Sequence, residues 1–325
     1  MLRRIINFLE NQDRPEQPQV APARSETPDP VTMKVLIIVQ DPEMNNDQTL
    51  FQTMRWNDPQ QLAVQYARDL NTVSQGYINY EVVESIHDQD FPRKADGFSY
   101  TPEEFKRCWE SRSGFHQPDL LDYSHLIDRF NLVERVNSGQ CDEVWLFGFP
   151  YAGYYESHMV GPGAFFCNSG PTVDERFNKR FVIMGFNVER GGGEMLENYG
   201  HRTESIMAHV YRNHSEEYNL WERFIRYDKT FPGRAECGNV HFAPNSERDY
   251  DWGNATPVEC YADNWLNFPE INGPPRRMTC ADWGHGEIRA HHLWWFQRLP
   301  HVTGETDGVS HNWWMYVNDP NMVPN

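Results

Sequence analysis

Between residues 34 and 230 the chain arranges its apolar residues in blocks, and beyond 231 that order fades. Residues 34–39 (KVLIIV), 142–147 (DEVWLF) and 181–186 (FVIMGF) are short, nearly continuous apolar runs, the pattern of strands buried on both faces of a parallel sheet. Residues 77–86 alternate, as a half-exposed strand does. Leu62, Ala63, Tyr66, Leu70 and Val73 recur at helical spacing across 59–73, and Gly76 ends that helix. A short helix over 102–109 is opened by Thr101 as cap with Pro102 at its first position, and a further helix is expected over 123–136, with Asp122 or Ser124 near its start. Strand, helix, strand, two helices, two strands and a helix predict an α/β fold: a mostly parallel sheet with helices on both faces.

The most informative stretch is 179–211, KRFVIMGFNVERGGGEMLENYGHRTESIMAHVY. It reads as a buried strand, a glycine turn at Gly191-Gly192-Gly193 and an amphipathic helix. At about 100° per residue, Met195, Leu196, Tyr199, Ile206, Met207 and Val210 fall in an arc of roughly 120°. Glu194, Glu197, His201 and Glu204 fall together opposite it, within roughly 80°. Such a face is ordinarily solvated. Here carboxylates and a histidine at spacings of three, four and three bring their tips close enough to share a cation. The glycines and Ala208 leave room above it, and the C-terminal third must pack somewhere.

Three parts are expected: an N-terminal arm and linker over 1–32, the α/β core over 33–230, and an irregular Trp/His-rich cap over 231–325 laid over the sheet edge. A polar helical stretch, 215–227, leads into the cap, whose one clear helix is 287–298. Asn239-Val-His241-Phe242 reads as a short strand carrying a histidine. Asp249, Asp251 and Trp252, then His285, Glu287, His291 and His292, are further polar candidates. Residues 1–9 (MLRRIINFL) suit a short amphipathic helix better than a signal peptide, because they lack a long apolar region and a cleavage site. The Pro- and Gln-rich segment that follows suits an arm that clasps a second copy of the chain. Compartment stays open.

Composition narrows the partners. With 47 acidic against 29 basic residues the net charge is −18, which repels nucleic acid and anionic membrane surfaces. No apolar run is long enough to span a bilayer. Six cysteines lack CxxC spacing, so a zinc knuckle is not expected, and the ordinary state is six free thiols; Cys237, Cys260 and Cys280 lie in loop-like surroundings where an exported protein could bridge them. Aromatics make up 14 per cent, many beside polar residues, where rings either stack on sugars or pack loops together.

The chain contains no GxSxG, Walker or GxGxxG motif. Candidate chemistry falls at the sheet's C-terminal edge, where open α/β sheets bind ligands. In the loop GFPYAGYYES after the third strand, Tyr151 and Tyr154 are expected to line a pocket and Glu156 to face Glu189 with Arg190 beside it, the carboxylate pair and cation of acid–base catalysis. Glu197, His201, Glu204 and His241 are expected to hold a divalent metal, zinc first. Asp251, Trp252 and His285 join the tyrosines as substrate contacts. The leading expectation is a metal-assisted hydrolase of a glycan or peptide-like substrate. The alternatives are a metal-free glycosidase using two carboxylates and a non-catalytic assembly or carbohydrate-binding protein.

The segments DEVWLFGFPYAGYYES, GPGAFFCNSGP and MGFNVERGGGEMLENYGHRTES resemble those of a group of large, often secreted bacterial proteins with no assigned activity. The likeness covers roughly residues 35–314 and implies no catalytic residue. This chain departs from the group in having no evident signal peptide.

Overall fold

A computed structural model of the chain describes residues 27–45, 47–215 and 218–324. In chain order it contains strand β1 (Val31–Gln40), a small hairpin of β2 (Glu43–Met44) and β3 (Gln48–Thr49), and helices α1 (Leu50–Met54) and α2 (Pro59–Val73). Strand β4 (Ile78–Asp88) is followed by helices α3 (Pro102–Ser111), α4 (Tyr123–Arg129) and α5 (Leu132–Asn137). Strands β5 (Glu143–Gly148), β6 (Ser157–Val160) and β7 (Phe181–Asn187) then lead into helix α6 (Gly192–Val210). The remainder holds α7 (Leu220–Phe224), the pairs β8 (Val258–Cys260) with β9 (Arg276–Met278) and β10 (His301–Thr306) with β11 (Val309–Asn312), and helices α8 (Ile288–Phe296) and α9 (Trp313–Asn318).

The sheet runs β4-β1-β5-β7-β6; the first four strands are parallel and β6 returns antiparallel along β7. Alternation along the strands sorts the two faces. Leu36, Ile38, Val144, Leu146 and Ile183 meet Leu126, Ile127, Phe130, Leu132 and Val136 of α4 and α5. Val35, Ile37, Trp145, Phe147 and Met184 meet Tyr66 and Leu70 of α2 and Met195, Leu196 and Tyr199 of α6. The α/β fold with helices on both faces is therefore present, and the caps at Thr101 and Asp122 hold as read, each side chain accepting a backbone N–H of its helix.

The departures have local causes. The helix expected over 123–136 is two, because Asn131 takes a left-handed conformation (φ 51°) between them. Strand β6 is missed because Ser157-His158-Met159-Val160 is short and half polar. The segment 239–242 is not a strand but a tight turn closed by reciprocal backbone hydrogen bonds between Asn239 and Phe242. Of the helical stretch 215–227 only α7 forms within the described residues. The arm expected over 1–32, with its oligomer contact, lies outside them up to residue 26.

The cap covers helix α6. Gly193 and Gly200 admit it: a Cβ at Gly193 would lie 2.4 Å from the side chain of Ile288, and one at Gly200 would lie 2.6 Å from that of Val240. The seven tryptophans with the least exposure, among them Trp221, Trp265, Trp295 and Trp313, are interior packing groups, which settles for them the choice between sugar contact and packing. All six cysteines are free and buried. No helix among the described residues is long and apolar enough to cross a membrane.

Arg202 fixes the rotation of α6. Its guanidinium is fully buried, donates to Glu143 of β5 at 2.7 Å and to the carbonyls of Val317 and Asn318 at 3.0 Å, while Trp145 donates its indole N–H to the other Glu143 oxygen. Glu143→Gln would leave that cation uncompensated and is expected to lower stability by about 3–5 kcal/mol in denaturant unfolding. A second expectation concerns pH. Burial depresses the pKa of His158 and His292 to about 4, and it holds that of His291 well below the usual 6.5. The unfolded chain therefore binds more protons below pH 6.5, and stability should fall as pH drops from 6.5 towards 4, by about 1.4 kcal/mol per pH unit per histidine. A stability curve that stays flat across that window would contradict it.

Candidate functional site

Three segments converge on one point. Helix α6 brings Glu197 and His201 to the same side, one turn apart. The cap turn brings His241, because Val240 seats on the bare backbone of Gly200 and donates its N–H to Glu204 at 3.1 Å. The loop before β6 brings Glu156, whose carboxylate accepts from the Asn168 amide at 2.5 Å.

At that point His201 Nε2 and His241 Nε2 lie 3.1 Å apart, and Glu197 Oε1 lies 3.1 Å from His241 Nε2 and 4.0 Å from His201 Nε2. Glu156 Oε2 lies 3.9 Å from His201 Nε2. Tyr250 Oη is 3.1 Å from both Glu197 Oε1 and His241 Nε2. On the far side of each ring stands another carboxylate: Glu204 Oε2 is 2.9 Å from His201 Nδ1, and Asp249 Oδ1 is 3.0 Å from His241 Nδ1.

These partners dictate where the protons sit. A carboxylate only accepts, so each Nδ1 carries the hydrogen, and each neutral ring turns an Nε2 lone pair inward. Two lone pairs and a carboxylate oxygen then face one another, an arrangement that needs a positive charge between them, either a proton or a cation. The electrostatics agree. Burial pulls the His201 pKa down, but the Glu204 hydrogen bond and the charges of Glu204, Glu156 and Glu197 outweigh it and the net shift is upward. His241 is raised chiefly by its hydrogen bond with Glu197. Burial alone would raise Glu197, yet His241, His292 and Tyr250 bring it below the usual carboxylate value. Tyr250 is pushed up to about 12, first by burial and then by the Glu197 charge, so its hydroxyl stays a donor.

Of the four residues expected to hold a metal, Glu197, His201 and His241 form the converging group. Glu204 stands behind it, orienting His201 and tying down the cap turn. Glu194 does not join; its carboxylate accepts from the Gly191 N–H at the start of α6. Glu156 turns to His201 and not to Glu189, which is exposed at the strand end. Arg190 lines a cavity of about 210 Å³ at the C-terminal ends of β5 and β7, together with Tyr151, Tyr154, Asn187, Asn198 and Glu156, so that Glu156 borders both the cavity and the cluster. Tyr154 is half-buried there, its hydroxyl donating to Gln40. Asp251 accepts from the N–H of Glu247 and the amide of Asn254 and shapes the cap loop. Trp252 is buried behind Tyr250, and His285 is exposed beside the start of α8.

Sequence reasoning passed over Tyr250 and Asn168, and it named Asp249 without assigning it to His241. Asp249 and Tyr250 sit in the Asp-Tyr-Asp-Trp run already noted, but no periodicity says which of its acids meets His241. The decisive contact is nonlocal: Tyr250 N–H donates to the His241 carbonyl, closing the loop that delivers His241, Asp249 and Tyr250, and Tyr250 holds φ at 58° to do so.

The chain matches no protein-family model and no curated protein sequence, so the meaning of this cluster rests on its own chemistry. Because Gly200 sets the approach of the cap turn, Gly200→Ala is expected to cost about 1–3 kcal/mol in denaturant unfolding. If unfolding were unchanged, the seating of Val240 would not be what brings His241 to His201.

Proposed function

We propose that the protein is a metal-assisted hydrolase, with Glu197, His201 and His241 holding one divalent ion, zinc first. The observation that carries this reading is the orientation of the two imidazoles, each with a carboxylate on Nδ1 and its Nε2 turned to a shared point. Carboxylate-oriented histidines of this kind are the usual surroundings of a bound metal. Two nitrogens on one tetrahedral zinc at about 2.05 Å would stand roughly 3.3 Å apart, close to the 3.1 Å between these two. The His201–Glu197 separation of 4.0 Å is longer than that and calls for a small rotation of the carboxylate on binding.

Glu197, His201 and His241 would leave a bound ion one open coordination position, and the ion would supply a water of lowered pKa and polarise a carbonyl. Glu156 is the group placed to move the proton: it borders the cavity, stands 3.9 Å from His201 Nε2 and is 41% exposed. It would take a proton from the attacking water and deliver it to the leaving nitrogen or oxygen. Tyr250, a phenol held protonated, would donate to the developing oxyanion. A carbonyl substrate, an amide or ester of a glycan or peptide-like compound, suits this set.

The test is metal content after exhaustive dialysis, read by elemental analysis. The expected result is about one equivalent in the parent protein, lost in His201→Ala. In Glu204→Gln, metal affinity is expected to fall by about 10–100-fold, since the orienting carboxylate is gone. Full occupancy in His201→Ala, or none in the parent after zinc reconstitution, would exclude the cluster as a metal site.

A further inference from the structure

The cavity beside Glu156 has an unusual lip. Tyr151 adopts φ 66°, a left-handed backbone that a bulky residue takes up only when its surroundings enforce it. Two contacts enforce it here. The ammonium of Lys94, fully buried, donates to the Tyr151 carbonyl and to Asp119, both at 2.6 Å, and the Tyr151 ring stacks on Phe115 with centroids 3.5 Å apart and planes 12° from parallel. Tyr151 is nevertheless 39% exposed, in a chain whose tryptophans are nearly all interior. The fold thus holds a flat aromatic pair at the cavity mouth against the conformational preference of its backbone.

The cavity wall supplies both donors and acceptors. The Arg190 guanidinium has no side-chain partner among the described residues. Asn198 uses its amide nitrogen on the Gly185 carbonyl at 2.7 Å, which leaves its oxygen to accept, and Asn187 uses its oxygen on the Glu189 N–H, which leaves its nitrogen to donate. A volume of about 210 Å³ equals roughly seven liquid waters, the room for one ring-sized group. It opens on the ends of strands, whereas extended peptides are ordinarily bound by pairing along a strand edge. An aromatic platform over mixed, uncharged and charged hydrogen-bonding groups fits the apolar face and the hydroxyls of a sugar.

We infer that the cavity binds a sugar ring and that the hydrolysed group is an acyl group carried on a saccharide. The second half rests on the hydrolase reading above. A glycosidic carbon has no carbonyl oxygen for an ion to polarise, whereas an acetyl group on a sugar nitrogen or oxygen has one. The water oxygen bonds to the acyl carbon, and the bond from that carbon to the sugar nitrogen or oxygen breaks. Acetate leaves, and the water proton passes through Glu156 to the sugar amine or hydroxyl.

Calorimetric titration of metal-stripped protein with chitotetraose and with acetylated xylotetraose tests the sugar site without the metal, and acetate release by zinc-loaded protein tests the chemistry. Saturable binding is expected for at least one tetraose, with the pair telling an amide-bearing from an ester-bearing saccharide. Tyr151→Phe should bind within about twofold of the parent, and Tyr151→Gly roughly three- to tenfold more weakly. Glycine takes the positive φ without strain, so this variant should keep the parent's melting temperature or exceed it. Absence of binding by both tetraoses, or equal binding by Tyr151→Gly, overturns the inference; acetate release from an acetylated tetrapeptide would then leave the hydrolase standing. Tetraose binding without acetate release from either tetraose overturns saccharide deacylation and leaves the sugar site; the hydrolase reading falls with it only if the acetylated tetrapeptide also releases no acetate.

Discussion

The buried pair of Arg202 and Glu143 is the constraint on which the rest depends. Helix α6 is covered on both sides, by the sheet beneath and the cap above, and apolar contact alone leaves a helix free to turn by some degrees about its axis. A guanidinium without water must keep its carboxylate and carbonyl partners or bear a large desolvation cost, so it admits one rotation. His201 is the adjacent residue and Glu197 lies one turn earlier, so the same bond that joins helix, sheet and the C-terminal helix α9 also aims the cluster.

Around that fixed helix the cap works as a second wall. Its aromatic interior supplies rigidity, and a few close approaches supply position: Ile288 against Gly193 and Val240 against Gly200. The loop from His241 to Tyr250 is closed by a backbone hydrogen bond and carries His241, Asp249 and Tyr250 as a unit. Two tyrosines with positive φ, Tyr151 and Tyr250, flank the cluster and the cavity. Strain of this sort persists where surrounding structure over-determines it, and here a buried ammonium and a closed loop do so.

Sequence and structure part company most usefully over the polar residues. The face of α6 was legible because 3.6-residue periodicity places Glu197, His201 and Glu204 together whatever lies above them. Which of them look inward was not, since Glu204 differs from Glu197 only in what approaches it: the turn at Val240 takes one and His241 takes the other. The pairing of Glu156 with Glu189 failed for a related reason. Both stand near strand ends, but the antiparallel strand β6 was invisible in a half-polar tetrapeptide, and its pairing with β7 turns Glu156 towards α6.

The sequence by itself determined the α/β layering, the strand order of burial and the one-sided cluster on α6, because buried strands and amphipathic helices are written in local periodicity. Only the tertiary structure decided that the cap lies on α6, that His241 completes the group, and that Glu156 serves both cluster and cavity. Those contacts join residues at least 40 positions apart through glycine vacancies, single hydrogen bonds and one buried ion pair, none of which leaves a periodic trace along the chain.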